Sequence, residues 1–279
     1  MSKLKGLLLT EGLHGMISQV EGLAKALDLD FFHEKVELNS FWNLIPPNLT
    51  PVSKFVFKNK IEKEFDIIIS CGRKSVIPSI YLKKKSNTKI INIHIQNPKV
   101  SIDNFDYIVS PEHDNLNGHN VINSKGAIHY LTLDEIKREK NYLESKLEKN
   151  KDIITLILGG PTNYYDYSNE NIIRIFSLVN KHLIEQNLQL ILIPSNRTPK
   201  ETITFAKEYF NKNRLIVDDV DKRAYLSSLA LSKYIVVTCD SSSMISEAAL
   251  TGKPIYIASI LPKKNDIRFQ RFRNLFREL

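Results

Sequence analysis

The stretch Tyr234-Ile235-Val236-Val237-Thr238-Cys239-Asp240-Ser241-Ser242-Ser243-Met244-Ile245-Ser246-Glu247-Ala248-Ala249-Leu250-Thr251-Gly252-Lys253-Pro254 decides the fold. It opens with a short, β-branched apolar run, the mark of a strand buried on both faces. A turn rich in hydroxyls follows, and Ser243–Leu250 reads as a helix. Gly252 and Pro254 end that helix, with glycine at its C-terminal cap and proline just beyond. Ile255–Ala258 then begins another strand. Strand, polar turn, helix, strand is the repeating unit of a parallel sheet wrapped by helices, so the chain is expected to be α/β.

The same alternation extends in both directions. In the second half, strands are expected at Ile153–Leu158, Gln189–Ile193 and Leu215–Val217, with helices near Asn169–Gln186, Lys200–Asn211 and Arg223–Leu229. In the first half, strands are expected at Leu4–Thr10, Phe31–Leu38, Asp66–Ser70, Lys89–Ile95, Tyr107–Ser110 and weakly at Val121–Ile122, with helices at Ile17–Leu27 and Ser75–Lys83. Between the halves, Asp134–Lys151 is dense in Glu and Lys at helical spacing and poor in large apolar residues, as in a surface helix supported by i,i+4 pairs. It is read as a linker, which gives an N-terminal domain over 1–133, a linker helix over 134–151 and a C-terminal domain over 152–279. At 279 residues the chain has room for two cores.

Composition narrows the function. With 42% hydrophobic and 25% charged residues the chain is globular in character, and no apolar run approaches the ~20 residues that cross a bilayer. The run Leu7-Leu8-Leu9 is ended too early by Thr10-Glu11-Gly12 for a signal peptide and suits a buried first strand. Cys71 and Cys239 are the two cysteines, far apart and without a metal-ligand pattern, which fits a reducing cytoplasm. The net charge of +8 comes from scattered residues with no aromatic-plus-basic RNA-binding motif, so no nucleic-acid partner is expected. Lys263, Lys264, Arg268, Arg271, Arg273 and Arg277 face only Asp266 and Glu278; this is either a solvated helix face or a surface for phosphates or anionic lipid. Phe41-Trp42-Asn43-Leu44-Ile45-Pro46-Pro47, with Phe55-Val56-Phe57 after it, is either core packing or a patch for a lipid or partner surface.

Ligands of parallel sheets bind outside the carboxyl ends of strands, so the loops there hold the candidates. Gly159-Gly160, Ser195 with Arg197 and Thr198, and Asp240-Ser241 through Ser243 and Met244 should all open on one sheet edge. They offer close backbone approach, hydroxyls and a guanidinium, which suit phosphate. The helix start also presents unpaired amides at the positive end of the helix dipole. Glu247, one turn in, can take two ribose hydroxyls, or it can be the capping-box partner of Ser243 or Ser246. In the first half, Glu11, Gly12, Gly15 and Gln19 follow the first strand with a spacing that excludes the NAD fingerprint, and Gly72-Arg73 and Gln96 follow later strands. His113 beside Asp114 is a candidate general base or a loop hydrogen bond, His14 is its rival, and His94 reads as structural. There is no phosphate loop and no nucleophile elbow. Asp28-Leu29-Asp30 lies at the wrong sheet end for a metal, and Asp219-Val220-Asp221 fits a helix N-terminus as well as a metal site.

Taken in order, Glu11-Gly12 with Gly15 and Gln19, Ser70-Cys71-Gly72-Arg73, Gln96-Asn97-Pro98, Pro111-Glu112-His113-Asp114, Gly159-Gly160-Pro161, Pro194-Ser195-Asn196-Arg197-Thr198-Pro199 and the Thr238–Pro254 stretch resemble the mitochondrial-fission ELM (elongated mitochondria) family. The resemblance spans nearly the whole chain. Bacterial members carry names of glycosyltransferases or of nucleoside-diphosphate-sugar epimerases. It implies two Rossmann-like domains facing across a cleft, the glycosyltransferase-B type. It further implies a nucleotide-diphosphate-sugar donor on the C-terminal domain: the turn from Asp240 to Met244 on the diphosphate, Arg197 and Gly159-Gly160 adding phosphate contacts, and Glu247 on the ribose. No bound metal or other cofactor is expected, and the N-terminal domain would hold the acceptor. Relatives are expected to continue somewhat beyond Leu279, which would leave a final helix shortened. The function so implied is transfer of a sugar to an envelope glycolipid or polysaccharide at the cytoplasmic face of the inner membrane, with peripheral membrane contact. A membrane-dynamics adaptor and a nucleotide-sugar epimerase or hydrolase are the alternatives.

Overall fold

The computed structural model describes residues 3–61, 63–210, 212 and 214–277. Asn211, expected to end a helix, and Glu278 lie outside the described residues. Contacts gather the chain into two compact units, Met1–Tyr130 and Leu131–Leu279.

Unit 1 runs β1 (Lys5–Thr10), α1 (His14–Ala26), β2 (Asp30–Lys35), β3 (Ile67–Cys71), α2 (Val76–Lys85), β4 (Ile91–Ile95), β5 (Tyr107–Pro111) and β6 (Val121–Ser124). Its sheet has the order β2-β1-β3-β4-β5-β6 with every pairing parallel. Alternate residues of the central strands feed two cores: Leu8, Ile67 and Ile69 on one face, Leu7, Leu9 and Ile68 on the other. Burial on both faces explains why these strands read as continuous apolar runs. β2 ends at Lys35, short of the expected Leu38, because its partner β1 has no residue beyond Thr10 to pair with. Leu38 instead bridges Phe57.

His94 in β4 takes the structural role expected of it. Its ring is 1% exposed, meets Phe105 at 5.2 Å, and has Nδ1 2.8 Å from the Ser70 hydroxyl. Burial pushes its pKa down to about 3. The unfolded chain therefore binds this proton between roughly pH 6.5 and 3 while the native state does not, so stability falls as pH drops through that window. The expected slope from this group is about 1.4 kcal/mol per pH unit. Urea unfolding at pH 7, 6 and 5 should show it in the wild type and not in His94→Gln; parallel curves would refute the assignment.

Unit 2 runs α3 (Leu133–Arg138), α4 (Asn141–Glu144), β7 (Ile153–Leu158), α5 (Asn169–Glu185), β8 (Gln189–Pro194), α6 (Lys200–Tyr209), β9 (Arg214–Ile216), α7 (Lys222–Leu231), β10 (Tyr234–Thr238), α8 (Ser242–Ala249), β11 (Ile255–Ala258) and α9 (Ile267–Arg277). The sheet order is β11-β10-β7-β8-β9, again all parallel. Every residue of β7 and β8 is buried.

The segment expected as one linker helix is two short helices that belong to unit 2. A capping box between Thr132 and Glu135 starts α3 one residue before the expected Asp134. Ile136 and Leu143 are buried, the Leu143 amide donates to the Ser227 hydroxyl at 3.1 Å, and the Tyr142 hydroxyl donates to Asp221 at 2.7 Å. Two apolar anchors and these bonds are enough to dock the segment on α7. The Glu and Lys residues stay on its outer face, with Lys140 and Glu144 3.5 Å apart.

Candidate functional site

In both units the chain leaves the first strand in one direction and later returns to its other side. That reversal opens a crevice at the carboxyl ends of two neighbouring strands. In unit 2 it falls between β7 and β10, so Gly159-Gly160 and Asp240 meet there although 80 residues separate them in sequence.

Asp240 organises the crevice. Its carboxylate, with a side chain 0% exposed, accepts from the Gly160 amide at 3.0 Å, the Arg197 guanidinium at 2.8 Å and the Tyr167 hydroxyl at 2.8 Å. The Gly159 amide donates to the Thr238 hydroxyl at 2.8 Å. Ser195 and Thr198 tie the β8 loop back by donating to the Gly159 carbonyl at 2.9 and 2.5 Å. Burial, with Asp240 beside it, pushes the Tyr167 hydroxyl up and keeps it a proton donor. The loops pack so closely that a Cβ on Gly159 would lie 2.0 Å from an Asp240 oxygen, and one on Gly160 2.0 Å from the Arg197 carbonyl.

This geometry revises several expected roles. The Gly159 and Gly160 amides, expected to meet phosphate, are engaged inside the protein, as is the Asp240 carboxylate. What remains for an anion is Arg197, whose side chain is 41% exposed while anchored to Asp240 and to the Gly160 carbonyl at 3.1 Å, together with the start of α8. There Ser241, not Ser243, is the N-cap, accepting from the Met244 amide at 3.4 Å. Ser242 and Ser243 occupy the first turn and carry its outward amides. The capping-box reading of Glu247 fails, because the third helical position is Met244. Glu247 instead accepts from the Tyr225 hydroxyl of α7 at 2.8 Å and stays half-buried.

In unit 1 the crevice lies between β1 and β3. Glu11 accepts from the Lys74 amide at 3.1 Å, and Gly72 has φ +95°, which L side chains rarely adopt, with the flexible end of Met16 2.7 Å from where a Cβ would sit. Gln19 joins the Gly15 carbonyl at 3.1 Å and Gln96 at 3.4 Å. Gly12 has φ +82°. Arg73 donates to the Ile45 carbonyl at 3.2 Å and to that of Asn43, so its charge clamps a loop. His113 is 3% exposed, with Nε2 3.6 Å from Asp114 Oδ1, beyond hydrogen-bond range. His14 is exposed at the first residue of α1.

Asp221 caps α7 through the Arg223 and Ala224 amides, at 2.8 and 3.2 Å. Among the described residues no cluster of three or more His, Cys, Asp or Glu side chains is placed to hold a metal ion, and no helix is long and apolar enough to cross a membrane. The basic C-terminal stretch is not uniformly a free face: Arg273 donates to the buried Asp266 at 3.0 Å and to the Tyr165 hydroxyl at 2.9 Å, while Lys263, Lys264 and Arg271 are exposed. Tyr167 and Tyr225 escaped the sequence reading. Neither lies in a glycine or hydroxyl motif, and their one signal is an aromatic ring with a polar tip near a strand-end loop.

Solved structures share this architecture. UDP-GlcNAc 2-epimerase of Methanocaldococcus jannaschii superposes with a TM-score of 0.56 at 14% identity, covering 98% of this chain and 92% of its own. ADP-heptose LPS heptosyltransferase II of Escherichia coli gives 0.52 at 12% identity, covering 99% and 98%. The chain is thus an α/β protein of two Rossmann-like domains, the glycosyltransferase-B type of fold. It belongs to the Mitochondrial fission ELM1 family, whose model matches residues 14–279. Protein RP120 of Rickettsia prowazekii is 30% identical over 228 residues, covering 69% of this chain and 64% of RP120. Mitochondrial fission protein ELM1 of Arabidopsis thaliana is 23% identical over 218 residues, covering 68% and 51%. The chain matches less than two thirds of the length of either relative.

Proposed function

We propose that the protein is a glycosyltransferase that moves a sugar from a nucleotide-diphosphate-sugar donor to a glycolipid or polysaccharide acceptor of the cell envelope, without a resident metal. The observation that carries this reading is the unit 2 crevice, where a guanidinium held by a buried carboxylate stands on the same sheet edge as an open helix start. Both favour a diphosphate, and both stabilise it more as it leaves with its added charge. Glu247, oriented by Tyr225, is suited to ribose hydroxyls. In the reaction the acceptor hydroxyl oxygen bonds to the anomeric carbon as the bond from that carbon to the diphosphate oxygen breaks. The hydroxyl proton passes to a base, for which His113 with Asp114, or His14, are the candidates on the acceptor side. Glu11, Gly12, Gly15, Gln19, Gly72 and Gln96 would line that side.

The test is calorimetry with UDP, ADP, GDP and CDP. At least one should bind, Arg197→Ala should weaken it about 30-fold through loss of a charge-assisted contact, and Glu247→Ala about 10-fold. If none of the four binds, the reading fails. Product analysis with donor alone separates transfer from epimerisation or hydrolysis, which consume donor without acceptor. The adaptor reading predicts partner binding that is indifferent to nucleotide and to Arg197→Ala.

A further inference from the structure

Between β2 and β3 the chain forms a lobe whose ends are stitched together. The Asn39 amide donates to the Val56 carbonyl at 2.9 Å, Leu38 bridges Phe57, and the Asn59 side chain donates to the Lys35 carbonyl at 2.8 Å. Three short 3₁₀ turns, Ser40–Asn43, Pro47–Leu49 and Lys54–Val56, build it. Its inner side is core: Trp42, Val56 and Phe57 pack with Ile77, Ile80 and Phe105. Arg73 clamps it through the Asn43 and Ile45 carbonyls. The outer side is the reverse of what a water-facing loop needs. Leu44 is 83% exposed, Leu49 69%, Phe41 64% and Phe55 58%.

Charge is segregated as sharply. Residues 39–53 carry no charged side chain in a chain that is 25% charged, and Lys54, Lys58 and Lys60 follow directly and are all exposed. Glu37, at the base, is the nearest acid before the lobe. We propose that this lobe is a docking surface for a bilayer containing anionic lipid: the four apolar side chains enter the interface and Lys58 and Lys60 meet lipid phosphates, while Lys54 donates to the Asn59 carbonyl within the lobe. Large apolar side chains stand out from three short turns, with Phe41 and Phe55 both against the Trp42 ring and Pro46-Pro47 stiffening the middle turn, an arrangement that suits insertion. An uncharged segment with exposed apolar side chains, followed in the chain by exposed lysines, suits the apolar interior and anionic headgroups of a lipid surface. The fixed backbone means little ordering is required on docking. This places membrane contact on the lobe of unit 1, where exposed apolar side chains and lysines occur together; in the C-terminal basic stretch Arg273 is engaged internally while Lys263, Lys264 and Arg271 are exposed. The assignment rests on the proposed function only for why an acceptor should lie at a membrane.

Sedimentation of the full chain with vesicles, in the absence of nucleotide, tests it. Binding to phosphatidylcholine:phosphatidylglycerol 70:30 should exceed binding to phosphatidylcholine alone about 10-fold and fall with added salt. Leu44→Ser, which removes a side chain outside the core, should weaken it about 5-fold, and Phe41→Ser/Leu44→Ser/Phe55→Ser about 100-fold with circular dichroism unchanged. Lys58→Glu/Lys60→Glu should cost about 25-fold on the anionic vesicles alone. The proposal is overturned if the wild type ignores both vesicles, if the triple and Leu44→Ser variants sediment like it, or if the wild type is a dimer that the triple variant makes monomeric with no vesicle binding in either. Because no nucleotide is present, this outcome is read separately from the calorimetry.

Discussion

Gly160→Ala is expected to destabilise unit 2 by about 3 kcal/mol and to abolish nucleotide binding. Its Cβ would fall 2.0 Å from the Arg197 carbonyl oxygen and 2.3 Å from the carbonyl carbon, and backbone cannot turn aside as a side chain can. Relief requires the β7 and β8 loops to part, which strips Asp240 of its bond from the Gly160 amide and moves Arg197 away from the helix start. Overpacking of this kind costs ~1–3 kcal/mol before any lost hydrogen bond is added. Gly252→Ala is the control: nothing lies within 4 Å, and only the φ of +66° opposes it, which should cost about 1 kcal/mol. Urea unfolding measures both. A Gly160→Ala curve within 0.5 kcal/mol of wild type would mean that the loops do not meet as described.

Asp240→Ala is expected to lower stability by about 3 kcal/mol and nucleotide affinity by at least 30-fold. Three donors converge on this carboxylate, and its loss leaves the Gly160 amide unsatisfied in a buried place and the Tyr167 hydroxyl with Thr238, 2.9 Å away, as its remaining partner. Arg197 contributes less to the stability loss than a fully buried partner would, since water reaches its partly exposed guanidinium. The affinity loss follows from its release, because a free arginine must be ordered again by each ligand that binds. Arg197→Ala separates the two effects. It should change stability by under about 1 kcal/mol while weakening binding, since Asp240 keeps the amide and the tyrosine. If Asp240→Ala weakened binding without lowering stability, the carboxylate would be a ligand contact and not the organiser of the crevice.

How far the site was legible follows from what local patterns carry. The Gly159-Gly160, Arg197 and Asp240 loops could be picked out because strand ends, glycines and hydroxyls are local features and the sheet rule assigns them all to one edge. Their division of labour could not. That an amide faces inward to Asp240, or that Ser241 and not Ser243 caps α8, depends on the exact approach of loops far apart in sequence. Arg73 makes the same point: a polar turn after a strand was expected on the acceptor side, yet its guanidinium holds the lobe between β2 and β3. His113 and Asp114 are adjacent in sequence, and adjacency does not set a hydrogen bond.

The sequence by itself determined the α/β class, the strands and helices of both halves and the family, because apolar runs buried on two faces and helix punctuation are written in consecutive residues. It also marked residues 41–47 and 55–57 as anomalous. Tertiary structure alone decided the rest: that residues 134–151 dock on α7, where two apolar side chains outweigh a charged surface; that the lobe turns Trp42 inward and Leu44 outward; and that the strand order opens a crevice between β7 and β10. Each depends on which surfaces close packing brings together, and that is a property of the whole fold.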